Sequence, residues 1–179
     1  MRVEQTQVFP DAREVVWERL LDFGVLERTL PGIEELERLD DDTLKLRVRV
    51  TVPAVTGAYE GTVRVAERIP VDRYTLSGDA KGRLGWLRGD ADFTLVDNPE
   101  GTAVTAVMDF RTGGALSGVG QRLMQAIAKG MVRDYFVAFQ RELPSGQGAP
   151  EMVSRPRRGI WQRIRAWLRR LVAREKTTN

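Results

Sequence analysis

GGALSGVGQRLMQAIAKGMVRDYFVAFQREL, residues 113–143, is the longest helical pattern in this chain of 179 residues. At 3.6 residues per turn, Leu116, Val119, Leu123, Ile127, Met131 and Ala138 share one face, with Gly120 and Gly130 beside it. The charges of Arg122, Lys129 and Arg133 keep off that stripe. Asp134 is the exception, expected where the helix leaves its neighbours and paired with an arginine. The pattern predicts a helix of about 28 residues, some 42 Å long. A single helix of that length crosses a small sheet from end to end. Everything before it reads as short strands, so it is the element a curved sheet wraps around.

Outward from the helix the period changes to two. Residues 2–9 form a first strand. Pro10-Asp11 opens a helix over AREVVWERLLDF, with Asp11 as cap and Glu14 completing a capping box. A short helical turn, VLERTL, stops at Pro31-Gly32. IEELERL is a strand, and Asp40-Asp41-Asp42 turns it into LKLRVRVTV. That strand alternates cleanly, with Leu44, Leu46, Val48, Val50 and Val52 inward. Further strands follow: AYEGTVRVAERI (Tyr59, Val63, Val65 inward), RYTLSGDA (Tyr74, Leu76), GDADFTLVD (Ala91, Phe93, Leu95) and TAVTAVMDF (Val104, Ala106, Met108, Phe110). GRLGWLRG, between the second and third of these, reads as a glycine-punctuated loop. One polar and one apolar face make an antiparallel sheet solvated on one side.

The fold class is therefore α+β: a curved antiparallel sheet of about seven strands around one long helix, the helix-grip arrangement. One helix cannot fill the concave face of such a sheet. Small or soft residues predominate there (Gly61, Gly78, Ala91, Ala106, Met108, Met124, Met131), so composition admits either an open hollow or a dry, closed core. The expected lining is Val48, Val50, Tyr59, Val63, Tyr74, Leu76, Phe93, Val104, Ala106, Met108, Phe110, Leu116, Val119, Leu123, Ile127 and Met131.

Composition excludes a good deal of chemistry. There is no cysteine and no histidine, which removes disulfides, thiolate nucleophiles, imidazole bases and nearly all zinc, copper and haem ligation. No metal or other cofactor is expected. MRVEQTQVF carries no apolar signal core, and no run approaches the roughly 20 residues of a spanning helix; the expected location is the cytoplasm. Residues 155–179 hold nine Arg or Lys against Glu175 alone, a net of +8. The whole chain carries +3, so residues 1–154 carry −5. The tail, not the domain, calls for an anionic partner.

PDAREVVWERLLDFGVLERTLPGIEELE, AYEGTVRVAERIPVDRYTLSGDAKG and GTAVTAVMDFRTGGALSGVGQRLMQAIAKGMVRDYFVAF together resemble the carbon monoxide dehydrogenase G-subunit (CoxG-like) family of the START/SRPBCC helix-grip superfamily. The likeness is collinear over residues 3–143. It is carried by Leu30, Pro31, Gly32, Glu34 and Leu36, by Gly61-Thr62-Val63, and by GGALSGVGQRLM. Thr29 stands where many relatives place a cysteine, so no thiol role carries over. The resemblance implies a non-catalytic protein serving a molybdenum-containing hydroxylase of the CO dehydrogenase type, in assembly, membrane attachment or electron delivery. The superfamily implies an apolar cavity for a lipid, sterol, quinone or polyketide-like ligand.

Alternate loops of a meander collect at one end of the sheet, so residues 53–57, 82–89 and 112–114 should meet beside the start of the long helix. Pro53, Val55, Leu84, Trp86, Leu87, Gly113 and Gly114 are the expected cavity mouth. Apolar tips on glycine hinges, with Arg83 and Arg88 beside them, suit a rim that touches a bilayer or a partner. The alternative is that Trp86 folds down as a plug.

Residues 1–143 thus form the ligand-binding domain, 144–158 a linker of Pro, Gly and Ser, and 159–175 a basic amphipathic helix. In that last segment Ile160, Trp161, Ile164, Trp167, Leu168, Leu171 and Val172 occupy an arc of about 140°. Arg163, Arg165, Arg169, Arg170 and Arg174 flank or oppose it. Two tryptophans on an apolar face and five arginines on the other describe a helix lying on an anionic leaflet. The same pattern also admits packing on its own domain or gripping a partner protein. Nucleic acid is the poorest fit, because the apolar face has no use there.

Three functions follow: a membrane-tethered carrier of a hydrophobic molecule, lipid or quinone; a recruitment or assembly factor for the hydroxylase with no ligand; or a cyclase- or hydrolase-type enzyme. Without His and Cys the last would fall to Tyr59, Tyr74 and Asp134.

Overall fold

The computed structural model describes residues 1–147. The tail helix expected over 159–175, and the linker from residue 148, lie outside the described residues. The elements are β1 (Arg2–Phe9), α1 (Arg13–Leu20), α2 (Phe23–Thr29), β2 (Ile33–Arg38), β3 (Thr43–Val50), β4 (Gly57–Ile69), β5 (Arg73–Gly82), β6 (Gly85–Asn98), β7 (Gly101–Gly114), α3 (Gln121–Gln140) and α4 (Pro144–Gln147). The seven strands pair antiparallel in the order β1-β7-β6-β5-β4-β3-β2. This is the α+β helix grip expected from the strand–helix order. The meander runs from β2 to β7, and β1 returns along β7 with Val3 opposite Met108.

The long helix is shorter than its sequence pattern. β7 continues through Gly114, whose φ of +69° ends the strand in a backbone region glycine enters freely. A 3-10 turn over Ala115–Gly118 follows, and α3 then covers 20 residues, about 30 Å. Leu116 and Val119 therefore precede the helix, and a stripe phased from them is turned off the true one. The buried face is Met124, Val132, Tyr135, Phe136 and Phe139, while Leu123 is 46% exposed. Phe136 and Phe139 set their edges against Phe9 of β1, at 5.7 and 5.2 Å between centroids, and lock α3 to that edge of the sheet.

The GRLGWLRG loop is not a loop. Gly82 pairs with Gly85, and strand pairing runs on through Trp86, Leu87 and Arg88, so β5 and β6 join in a tight hairpin around Arg83-Leu84. The glycines mark the turn, not an absence of strand.

Asp11 does not cap α1. The cap residue is Ala12, with no side-chain hydrogen bond. Asp11 instead accepts from the Ser145 amide at 3.1 Å and from the Ser145 hydroxyl, which ties the α4 turn back onto the domain. Residues 144–147, expected as the start of the linker, are thus a turn of helix fastened to the domain. Asp22 is the working cap, accepting from Gly24 and Val25 amides at 2.8 and 3.2 Å at the start of α2.

Candidate functional site

The concave face of the sheet is bent where side chains are missing. A Cβ on Gly61 would fall 1.8 Å from the carbonyl oxygen of Asp79, and one on Gly89 would fall 2.3 Å from that of Asp109. Adjacent backbones approach too closely there for any other residue. Gly78 and Gly89 face each other in register, flanked inward by Ala80 and Ala91. A strip of the inner face thus presents backbone and methyl groups alone, and α3 spans the bend without filling it.

The result is a cavity of about 380 Å³, within the size range of small-molecule sites. Its floor is Leu44 and Leu46 of β3, Val63 and Val65 of β4, Tyr74, Leu76, Gly78 and Ala80 of β5, Leu87, Gly89, Ala91 and Phe93 of β6, and Met108 and Phe110 of β7. Its roof is Met124, Ile127, Ala128, Met131, Val132 and Tyr135 of α3. Leu20, Leu21, Phe23, Leu26, Leu30 and Pro31 close the side where α1 and α2 turn. Asp42, Asp79 and Asp90 border it. The last two hold their carboxylates on the outer face, accepting from Thr62 and Ser77 hydroxyls at 2.9 and 2.6 Å. What reaches the cavity is their backbone, beside the bare glycines.

Two packed clusters bracket this space. One contains Phe9, Val16, Leu20, Val25, Leu95, Val104, Ala106, Phe136 and Phe139; the other contains Val3, Val52, Val55, Tyr59, Phe110, Leu116 and Met124. Met108 touches both. The hollow thus lies between two packed clusters, and members of both, Phe93 and Tyr74 of one and Phe110 and Met124 of the other, form part of its wall.

Among the residues expected to line the site, Val63, Tyr74, Leu76, Phe93, Met108, Phe110, Ile127 and Met131 are on the cavity wall. Val104 and Ala106 are sealed in the first cluster. Tyr59, Leu116, Val50 and Val119 belong to the second, and Val48 sits beside Gly32 near the β2 edge. Leu123 faces solvent. The expected lining left out the α1–α2 corner, Leu44, Leu46 and Val65 of the sheet, and Met124, Ala128, Val132 and Tyr135 of α3. The signal for Tyr135 was available: it falls one turn from Met131 on the corrected helix face.

The expected mouth is closed. Residues 53–55, the 82–85 hairpin and 113–116 do gather at one end, where the Leu116 amide donates to the Leu84 carbonyl at 3.0 Å. There Val55 and Leu116 are buried and the Tyr59 hydroxyl donates to the Val55 carbonyl at 2.9 Å, so the end is plugged with side chains. Of the expected rim residues, Leu87 reaches the cavity wall, whereas Pro53 is exposed outside it and Leu84 packs in the plug. Trp86 is neither rim nor plug. It lies on the outer face opposite Gly113, where an added Cβ would come within 2.2 Å of its indole. The ring covers the bare backbone of Gly113 and leaves Gly114 at the turn.

Two of the wall side chains carry hydroxyls, Tyr74 and Tyr135. Tyr74 stacks on Phe93 at 4.7 Å and meets Trp17 edge-on at 5.7 Å. Tyr135 packs against Phe136 and Phe139. Burial pushes both hydroxyls well above the usual phenol range, and for Tyr74 the neighbouring Tyr135 adds to the effect. Asp134, expected to pair with an arginine, has Arg133 at 3.5 Å. Among the described residues no cluster of carboxylates could hold a metal ion, and no helix is long and apolar enough to cross a membrane.

A curved seven-stranded sheet gripping one helix around an apolar hollow is a START-like architecture. The chain is similar to a START superfamily protein from Mycobacterium smegmatis, at 14% identity and a TM-score of 0.62 over 80% of this chain and 97% of that one. A conserved protein from Geobacillus kaustophilus is 26% identical, with a TM-score of 0.75 over 79% of this chain and 94% of that one. A Thermus thermophilus protein is 14% identical, with a TM-score of 0.61 over 83% and 100%. No curated protein matches the sequence. The family model for the carbon monoxide dehydrogenase G-subunit (CoxG) matches residues 6–144, and the chain belongs to that family.

Proposed function

We propose that this chain is a non-catalytic binding protein that takes a hydrophobic molecule, a lipid or quinone, into the cavity between α3 and the sheet. It would serve a CO dehydrogenase-type molybdenum hydroxylase, held at an anionic membrane surface by residues 159–175. The observation that carries the reading is the cavity of about 380 Å³, walled almost wholly by apolar side chains. Affinity there comes from apolar surface leaving water, at roughly 25 cal/mol per Å². Family membership supports the link to CO dehydrogenase. An enzymatic role finds little support, since Tyr59 is committed to the plug and burial holds Tyr74 protonated.

The test is solvent extraction of the purified full chain followed by mass spectrometry, with titration of N-phenyl-1-naphthylamine into the stripped protein. The reading expects a co-purifying apolar molecule and saturable probe fluorescence displaced by it. A protein that emerges empty and also refuses the probe overturns the reading.

A further inference from the structure

An apolar cavity selects for apolar surface but not for orientation. In this one, two hydroxyls break the uniformity from opposite walls. Tyr74 projects from the sheet and Tyr135 from α3; their side chains are 2% and 8% exposed, and both line the cavity. Neither oxygen makes a hydrogen bond to any described residue, in contrast to Tyr59, which donates to Val55. The side-chain atoms sealed away without a hydrogen-bond partner among the described residues are Arg13 Nε and Arg47 Nε. The two phenol oxygens are not among them, and the cavity is the open space that both side chains border. A buried donor with no partner is costly, and natural cores satisfy such groups or use them.

We propose that the Tyr74 and Tyr135 hydroxyls are paired donors for a neutral oxygen acceptor on the ligand, a carbonyl carried by an otherwise apolar molecule. This rests on the ligand-binding reading above and adds the polarity and the orientation of the ligand. The rings are held before any ligand arrives, Tyr74 between Phe93 and Trp17, Tyr135 against Phe136 and Phe139. Little freedom is lost when the hydrogen bonds form. Both phenols stay protonated across the physiological range, so each presents a proton and not a charge. Hydrocarbon tails gain nothing from these donors, whereas a carbonyl satisfies them in a site without competing water.

The test compares benzophenone with diphenylmethane, which differ by a carbonyl in place of a methylene, by calorimetric titration into the stripped full chain. The expected result is benzophenone binding about tenfold more tightly. In the Tyr74→Phe, Tyr135→Phe double variant the ratio falls to near one. The benzophenone carbonyl stretch should also shift to lower frequency in the wild-type complex and not in the variant. Equal affinities in the wild type, or a carbonyl preference that survives in the double variant, overturn the proposal while leaving the binding reading intact. Refusal of both compounds by the wild type removes the binding reading and this refinement with it.

Discussion

Gly78 of β5 and Gly89 of β6 stand directly opposite each other on the concave face of the sheet. Both belong to the floor of the cavity, but the two are not equivalent. A Cβ on Gly89 meets the Asp109 carbonyl oxygen at 2.3 Å, while one on Gly78 comes no nearer than 3.3 Å to any neighbour. Gly89→Ala should therefore destabilise the fold by about 1–3 kcal/mol in urea unfolding, and Gly78→Ala by clearly less. Ala91→Phe places a ring in the hollow from its wall, so it should lower uptake of N-phenyl-1-naphthylamine at least tenfold. Unchanged uptake would mean the probe sits elsewhere.

Arg28 of α2 donates through Nε and Nη2 to one carboxylate oxygen of Glu142, at 3.1 and 2.7 Å, and ties the α1–α2 corner to the end of α3. That hydrogen bond holds the Glu142 carboxyl below its ordinary value of 4.5. A carboxyl depressed in the folded state contributes stability above its unfolded pKa and loses it as pH falls through the folded one. Glu142→Gln should lower Tm at pH 7, and the difference from wild type should shrink progressively below pH 4.5. A constant difference down to the acid transition would assign the effect to packing.

Trp86 covers Gly113 on the outer face of the sheet. Trp86→Ala should cost a modest amount of stability, about 1 kcal/mol, and leave probe affinity within twofold. A large loss of uptake with little change in Tm would return Trp86 to the rim role that its sequence neighbourhood suggests.

The carrier reading assigns membrane attachment to residues 159–175. The full chain should co-sediment with vesicles containing phosphatidylglycerol at low salt and release as salt rises, since each basic residue near such a surface contributes about 1 kcal/mol. Deleting residues 155–179 should abolish sedimentation and leave N-phenyl-1-naphthylamine uptake unchanged. Sedimentation that survives the deletion would move the attachment to the domain.

The strands were legible because period-two alternation records which side of each residue is dry, and a one-residue slip reverses every side chain. Leu44, Leu46, Tyr74, Phe93 and Val104 are buried as their alternation requires. The helix was legible as an element but not in phase. Leu116 and Val119 match its stripe by spacing alone, and spacing cannot tell that the chain at Gly113-Gly114 is still paired with Gly85 and Trp86. The Asp11 cap failed for a similar reason: its carboxylate serves Ser145, 134 residues away.

Sequence by itself determined the order of the elements, the face each strand turns inward, and the absence of cysteine and histidine chemistry. These depend on residue type and local spacing. Tertiary structure alone decided where the hollow lies, which end is plugged, and that Tyr74 and Tyr135 share it. Those depend on how tightly the sheet bends at Gly61 and Gly89 and on which turn of α3 faces the bend. Both are sums over contacts between strands and helix that no single segment encodes.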